Sequence, residues 1–324
     1  MGLVKFPEEK LAQRVLKLHN LTIPFDLKLL VEQYANVIFM HIPFAGIDGV
    51  SLNLKVPGKK PKVIVNTATG TKRQNFTLAH ELGHIIIPWH LGTIIDETYP
   101  QLFKDYQYSI IEQEANRFAA ELLMPSDWIL ERFKSLDGDL STLHNEIVLV
   151  SKVSEQAAAI RMIQVLPKDI IYWAVDGDLI IHSGRTEKTS AFLPDNDSKF
   201  DIEFYPYIEK HFINSKSAIK YYWFKLSANV EIHGKENDDR TWKELFDKIV
   251  SDIKPMEEQK NFKFSVNGII AAANGKVKQE SDYSYSSVLS AVLYRLRRPE
   301  LKEFVSHEDF ETFVIKKVKS MLEH

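Results

Sequence analysis

The first part of the chain carries apolar residues at two different spacings. Residues 8–36 have apolar positions at helical spacing, and Pro24 divides them into two predicted helices. Segments rich in Val and Ile follow, separated by Gly and Pro residues. Such short β-branched segments are typical of strands. We therefore predict a small sheet with strands at 37–42, 50–55 and 62–65.

Helical spacing then returns and continues as far as Pro167. Residues 88–108 interrupt it and show neither helical nor strand spacing of apolar residues, so we predict a loop there. Residues 136–139 mark a second break. Ser126 and Ser154 are placed to cap the helices that follow them. The apolar spacing predicts helices over 71–87, 110–123, 127–134, 140–151 and 154–165.

The second half of the chain begins with the pattern of a hairpin. Apolar segments at 170–175 and 179–182 flank an Asp-Gly-Asp turn at 176–178, which tolerates positive φ. This change of pattern places a domain boundary near residue 167. The later predicted elements are a strand at 219–226 and helices at 284–298 and 307–321.

Length and pattern together predict an α+β protein. At roughly 150 residues per domain, 324 residues correspond to about two domains. We predict a mainly helical domain with a small sheet at 1–138 and a helix-turn-helix-like helical segment at 139–166. A mixed α/β C-terminal domain is predicted at 167–324.

Composition excludes several kinds of chemistry. The chain has no cysteine, which rules out disulfides, thiolate nucleophiles and Cys-ligated zinc, and which fits a reducing cytoplasm. Its 41 basic and 44 acidic residues give a net charge of −3, which disfavours binding to nucleic acid by overall charge. No apolar run reaches the roughly 18 residues of a membrane span, and residues 1–5 do not begin a long apolar signal. We therefore expect a cytoplasmic protein without a membrane partner.

The strongest chemical signal is the sequence His80-Glu81-Leu82-Gly83-His84 within the predicted helix at 71–87. Residues four apart lie on the same face of a helix, so the two imidazoles can reach one metal ion. Glu81 lies about 100° around the helix from His80, where it can act as a general base without being a ligand. The competing interpretation is a buried helix whose histidines are only hydrogen-bonded within the core.

The candidates for a third ligand are His90 and two glutamates of the helix at 110–123. His90 lies where three-histidine metallopeptidases have their last histidine, but Ile87 stands where that pattern needs a glycine to turn the chain. Glu112 and Glu114 are two residues apart, so they point in nearly opposite directions and cannot share a role.

Glu112 is preferred as the third ligand because of the helix face on which it lies. It shares a stripe with Asn116 and Ala119, a small and uncharged surface of the kind expected beside a metal site. Asn116 can orient a ligating group, or it can simply pack against a neighbouring helix. Glu114 and His90 remain the alternative ligands.

Two stretches of the chain resemble the signatures of the ImmA/IrrE family of metallopeptidases. The first reads RQNFTLAHELGH at 73–84, and the second reads EQEANRFAAELLMP at 112–125. The strand that ends at Asn66 also fits, and the resemblance covers about residues 10–165. Two signatures in the same order along the chain make the resemblance specific.

The resemblance implies a zincin-like peptidase domain in which His80, His84 and Glu112 bind Zn²⁺. Glu81 then takes a proton from the attacking water and passes it to the leaving amine. Typical substrates of the family are DNA-binding repressors. The expected function is therefore a zinc-dependent endopeptidase that cleaves a helix-turn-helix transcriptional repressor in a stress or defence response. The candidates for the group that stabilises the oxyanion are Tyr99, Tyr106 and Tyr108.

The same resemblance implies a sensor or regulatory role for the C-terminal domain at 167–324. It implies a fold resembling GAF domains and a nucleic-acid or small-molecule signal. The aromatic run at 221–224 can stack on such a ligand, but at strand spacing it is more typical of a core. Arg295 and its basic neighbours can contact phosphate, but before Pro299 they more often complement the helix dipole.

The alternative function is a DNA-binding regulator with a structural zinc site. Residues 139–166 resemble part of a helix-turn-helix unit, but they contain two basic and three acidic residues, whereas a recognition helix should be basic. We interpret them as helices that complete the peptidase core or join the domains. Glu81 also disfavours this alternative, because a structural zinc site needs no general base.

Overall fold

The computed structural model divides the chain into two compact units, Met1–Leu166 and Pro167–His324. Each unit contains both helices and strands, so the protein is of the α+β class. No helix within the described ranges is both long and apolar enough to cross a lipid bilayer. The residues described are 6–44, 46–97, 106–189, 191, 193–194, 196–199, 208–214, 218–227, 232–235, 237–279 and 283–323.

The N-terminal unit consists of helices packed around one small sheet. Its strands are β1 (Asn36–Met40), β2 (Ile47–Leu54), β3 (Lys62–Asn66) and β4 (Gly92–Glu97). Its helices are α1 (Pro7–Leu18), α2 (Leu27–Tyr34), α3 (Thr71–Ile86), α4 (Tyr106–Leu123), α5 (Ser126–Ser135), α6 (Leu140–Val150) and α7 (Glu155–Val165).

The N-terminal sheet has the strand order β1-β3-β2-β4, with β1 parallel to β3 and the other pairs antiparallel. The helix α3 packs against β2 and β3 on one side and against α4 on the other. The prediction of a loop throughout 88–108 is wrong for Gly92–Glu97, which pairs with β2 as an edge strand. So short a segment gains its stability from the neighbouring strand, which the local sequence does not reveal.

Side-chain caps explain several of the helix boundaries. Asp26, Asp139 and Ser154 each accept a hydrogen bond from a backbone N–H in the first turn of the helix that follows. Ser126 does not cap α5 as predicted. It is the first residue of that helix, and its hydroxyl donates to Glu121 Oε2 at 2.7 Å. The Ser126 hydroxyl therefore donates to the buried Glu121 carboxylate of α4 and does not cap α5.

The helices α6 and α7 are joined to the rest of the N-terminal unit by polar contacts. Arg161 on α7 is buried, forms an ion pair with Glu121 and donates from Nε to the backbone oxygen of Met124 at 3.1 Å. Asn75 on α3 donates to the backbone oxygen of Ser151 at 3.1 Å. Residues 139–166 thus pack as part of this unit, and Arg161, the arginine of this segment, is buried within it.

The C-terminal unit has a second sheet and its own hydrophobic core. Its strands are β5 (Ile170–Asp176), β6 (Leu179–Arg185), β7 (Ser198–Lys199), β8 (Ile208–Asn214) and β9 (Lys220–Leu226). Its helices are α8 (Trp242–Ile253), α9 (Met256–Lys278), α10 (Tyr285–Leu296), a 3₁₀ turn (Pro299–Leu301), α11 (Lys302–Val305) and α12 (Phe310–Leu322).

The second sheet is antiparallel, with the order β7-β6-β5-β9-β8. The predicted hairpin is present, and Gly177 has a φ of 60° in its turn. In the aromatic strand β9, Trp223 and Phe224 are fully buried. They are core residues of this unit and do not form an exposed surface for stacking. The helices α8 and α9, which contribute many residues to this core, were not predicted from the sequence.

The buried His144 on α6 makes the stability of the N-terminal unit depend on pH. Burial lowers the pKa of His144 from 6.5 to about 4, although its Nε2–H donates to the backbone oxygen of Glu155 at 2.8 Å. In the unfolded chain His144 is protonated below about pH 6.5, whereas in the folded chain it stays neutral down to about pH 4. The free energy of unfolding should therefore fall by about 2 kcal/mol between pH 7 and pH 5 through this group.

Chemical denaturation of the parental chain and of His144→Gln at both pH values measures this contribution. Glutamine keeps a donor for the Glu155 carbonyl but does not titrate. The parental chain should lose more stability than the variant on acidification. An equal loss in the two chains would show that His144 is not the titrating group.

Candidate metal centre

The His80-Glu81-x-x-His84 motif lies in the second half of α3, where the helix is buried between the sheet and α4. His80 and His84 are almost completely inaccessible to solvent. Helical spacing places the two imidazoles on one face, and their Nε2 atoms lie 2.9 Å apart. Both rings therefore direct the same nitrogen toward one point.

Close packing of α4 brings Glu112 to that point. Gly83 on α3 lies against Ala115 on α4, and a Cβ added at Gly83 would lie 3.3 Å from the Ala115 Cα. Glu112, one turn earlier on α4, has Oε2 at 3.1 Å from His80 Nε2 and Oε1 at 3.5 Å from His84 Nε2. Ligand atoms of the two histidines and Glu112 all lie within 4.8 Å of one another.

The protonation of these groups fits a divalent metal. His80 Nδ1 lies 3.0 Å from Asn116 Oδ1, an acceptor, so the proton of this ring belongs on Nδ1 and its Nε2 has a lone pair toward Glu112. Glu112 Oε1 is buried and has no hydrogen-bond partner among the described residues. Two imidazole nitrogens and a carboxylate oxygen form a donor set suited to Zn²⁺ with one position left for water or substrate.

Glu81, the residue after His80, is not part of the convergent set. Its carboxylate is completely buried between α3 and β2, where the hydroxyl of Ser51 donates to Oε2. Gly49, two residues before Ser51, lies so close that an added Cβ would overlap the Glu81 carboxylate and lie 2.6 Å from Thr77 Cγ2. The absence of a side chain at Gly49 therefore makes room for the carboxylate.

Ser51 and Gly49 were missed by the sequence analysis. Both lie on the same face of β2, because residues two apart in a strand point the same way. Two small residues on one face of a buried strand are a weak signal for a close approach by another element. Only the packing of β2 against α3 shows which side chain occupies that space.

His90 and Glu114, the alternative ligands, do not join the convergent set. His90 is fully buried and contacts His84 from behind, with the two Nδ1 atoms 2.8 Å apart. Glu114 Oε2 lies 2.9 Å from His90 Nε2 and also accepts from Trp89 Nε1 at 2.6 Å. The helix α3 ends at Ile86, and Ile87 is extended, with φ at −68° and ψ at 117°.

The surroundings of His84 favour its neutral form. Burial lowers the pKa of His84 well below its ordinary value, and the nearby His80, His90 and Lys55 lower it further. Lys55 Nζ donates to the backbone oxygen of His84 at 2.6 Å, near the C-terminal end of α3, where a cation complements the helix dipole. Burial lowers the pKa of Lys55 to about 8. A neutral imidazole is the form that binds a metal.

The candidates for stabilising an oxyanion cannot be placed relative to this centre. Tyr99 lies outside the described residues. Tyr106 and Tyr108 belong to the first turn of α4, and their side chains are also outside the described part of the chain.

Comparison with known proteins identifies the N-terminal unit. Residues 32–162 match the model of the IrrE N-terminal-like domain of the M78 peptidases. The radiation response metalloprotease IrrE of Deinococcus radiodurans is 30% identical over 144 residues, which are 41% of this chain and 42% of that protein. The protein of the same description from Deinococcus deserti is 30% identical over 99 residues, which are 28% of this chain and 34% of that protein. The chain thus matches less than half the length of these curated relatives, and the match places its N-terminal unit in the ImmA/IrrE family of metallopeptidases.

Proposed function

We propose that the protein is a zinc-dependent endopeptidase whose centre is formed by His80, His84 and Glu112, with Glu81 as the general base. The observation that carries this proposal is the convergence of two imidazole Nε2 atoms and one carboxylate on a single point. A metalloprotease role agrees with the names of the curated relatives. Glu81, the residue after His80, has a buried carboxylate that can serve as the general base.

Each side chain then has a definite task. His80, His84 and Glu112 would hold Zn²⁺, which would supply a Lewis acid to polarise the scissile carbonyl and activate the attacking water. His80 and His84 present neutral nitrogens, and Glu112 supplies the negative charge of the donor set. Glu81 takes the proton of the attacking water and delivers it to the leaving amine. Ser51 fixes the orientation of the Glu81 carboxylate by donating to Oε2.

The substrate in this proposal is a DNA-binding transcriptional repressor with a helix-turn-helix fold, cleaved in a stress or defence response in the cytoplasm. The support is the family of the N-terminal unit and the description of its relatives as radiation response metalloproteases. The C-terminal unit is proposed to be a sensor for a nucleic-acid or small-molecule signal. Its antiparallel sheet with packed helices is compatible with a GAF-like domain.

The alternative of a DNA-binding regulator with a structural zinc site has less support. Arg161, a cation of the helix-turn-helix-like segment, is buried and pairs with Glu121 and Glu9. It is therefore not available to contact a phosphate backbone. A structural site also gives no reason for a buried general base beside the ligands.

Replacement of Glu112 tests the metal centre. Glu112→Ala should weaken Zn²⁺ binding by on the order of 100- to 1000-fold, because a quarter of the roughly 10–16 kcal/mol of a four-coordinate zinc site is lost. Competition with a chromophoric chelator measures the affinity, and circular dichroism checks the fold. Glu131→Ala, an exposed glutamate on α5, is the control. Parental affinity in Glu112→Ala would exclude Glu112 as a ligand.

Replacement of Glu81 tests the reaction. Glu81→Gln should keep parental zinc affinity and lose cleavage by at least about 100-fold, since general base catalysis contributes roughly 10²–10⁴-fold. Gly49→Ala should also reduce cleavage, because its methyl group would displace the Glu81 carboxylate. A purified helix-turn-helix repressor serves as the substrate, and gel electrophoresis follows its cleavage. Cleavage at the parental rate by Glu81→Gln would refute the mechanism.

A further inference from the structure

A chain of hydrogen bonds leads from His84, behind the candidate metal centre, toward the surface. His84 Nδ1 lies 2.8 Å from His90 Nδ1, and His90 Nε2 lies 2.9 Å from Glu114 Oε2. Both imidazoles are completely buried. Trp89 Nε1 donates to the same oxygen of Glu114. Two side chains outside the donor set thus determine the hydrogen bonding of a residue within it.

The chemistry of these groups determines where each proton lies. A carboxylate only accepts hydrogen bonds, so His90 must donate from Nε2 to Glu114. A neutral His90 then has a bare Nδ1 that accepts, so His84 must donate from its own Nδ1. The remaining nitrogen of His84, Nε2, therefore carries a lone pair and faces His80 and Glu112.

The other arrangements of protons are unfavourable in this site. If His84 carried its proton on Nε2, His90 would donate from Nδ1, and its bare Nε2 would face the Glu114 carboxylate at 2.9 Å. Two acceptors would then face each other in a partly buried contact without a proton between them, which is unfavourable. A doubly protonated His90 would instead place an imidazolium charge in a completely buried position.

We propose that His90 and Glu114 are positioning residues that hold His84 with its proton on Nδ1 and its Nε2 lone pair directed at the metal position. The identity of the centre rests on the proposed function, but the positioning role does not depend on proteolysis. Asn116 has the corresponding place behind His80, with Oδ1 at 3.0 Å from Nδ1. The two ligand imidazoles are therefore oriented by different groups, an amide for one and an imidazole backed by a carboxylate for the other.

The positions of the protons can be observed directly in the metal-free, full-length protein. Two-bond ¹H–¹⁵N spectra of the chain labelled with ¹⁵N-histidine distinguish a ring protonated at Nδ1 from one protonated at Nε2. We expect His84 to carry its proton on Nδ1 and His90 to carry its proton on Nε2. A His84 ring without a proton on Nδ1 would overturn the inference, whatever the enzymatic activity.

Paired substitutions of His90 separate the acceptor from the ring. His90→Leu fills the space without an acceptor and should weaken Zn²⁺ affinity by roughly 10- to 100-fold, the usual effect of losing a group that orients a metal ligand. His90→Asn places an amide oxygen near the former Nδ1, as Asn116 does for His80, and should restore most of the affinity. Equal affinities in the two variants would overturn the inference.

Substitutions of Glu114 test the second link. Glu114→Gln keeps an acceptor for Trp89 and His90 and should bind Zn²⁺ almost as the parental chain does, whereas Glu114→Leu should bind more weakly. In a chain that already carries His90→Asn, Glu114→Leu should have little further effect, because the link between the two residues is gone. An undiminished effect there would show that Glu114 does not act through His90.

The control is His144→Gln, which replaces a buried histidine elsewhere in the N-terminal unit. It should leave Zn²⁺ affinity and the His84 tautomer unchanged. Parental affinity in a folded His90→Leu chain would refute the positioning role. If the parental chain binds no Zn²⁺, the proposed function fails, and the tautomers of the metal-free chain still decide the positioning role.

Discussion

The centre depends on how closely α3 and α4 approach each other. Gly83 permits this approach, because a Cβ there would lie 3.1 Å from Phe118 Cδ1 and 3.3 Å from the Ala115 Cα. An alanine would force the helices apart by a few tenths of an ångström. Metal–ligand distances tolerate changes of only about 0.2 Å. A wider separation of the two helices would therefore move Glu112 out of reach of a metal bound by His80 and His84. The glycine inside the motif is thus a packing requirement of the metal site.

The C-terminal part of α4 is held by a second constraint, the buried ion pair of Glu121 with Arg161. Glu121 also accepts from Ser126, and Arg161 reaches the backbone oxygen of Met124, so the pair is enclosed by further hydrogen bonds. Removing one partner of such a pair typically costs about 3–5 kcal/mol, because the other charge is left buried. The helix that carries Glu112 is therefore held at two places along its length, and α7 stabilises it without supplying a ligand.

Helical periodicity explains why much of this centre could be predicted from the sequence. Spacing alone places His80 beside His84, and it places Glu112 on a different helix face from Glu114. The family resemblance is confirmed over residues 32–162. Contacts between distant segments could not be predicted. Ser51 contacts Glu81 only because β2 packs on α3. His90 contacts His84 only because the segment that follows α3 folds back against the helix. The strand β4 was missed for the same reason, because a neighbouring strand stabilises it.

The described side chains of the centre come from α3, α4, β2 and the segment immediately after α3. Side chains on packed helices and strands have few rotamers, so a site built there keeps its geometry without help from a ligand. The segment after α3 is neither helix nor strand at His90. There the two hydrogen bonds of the buried His90 imidazole hold the side chain in place. All these residues belong to the N-terminal unit. Each described side chain of the donor set is therefore positioned by packing within that unit.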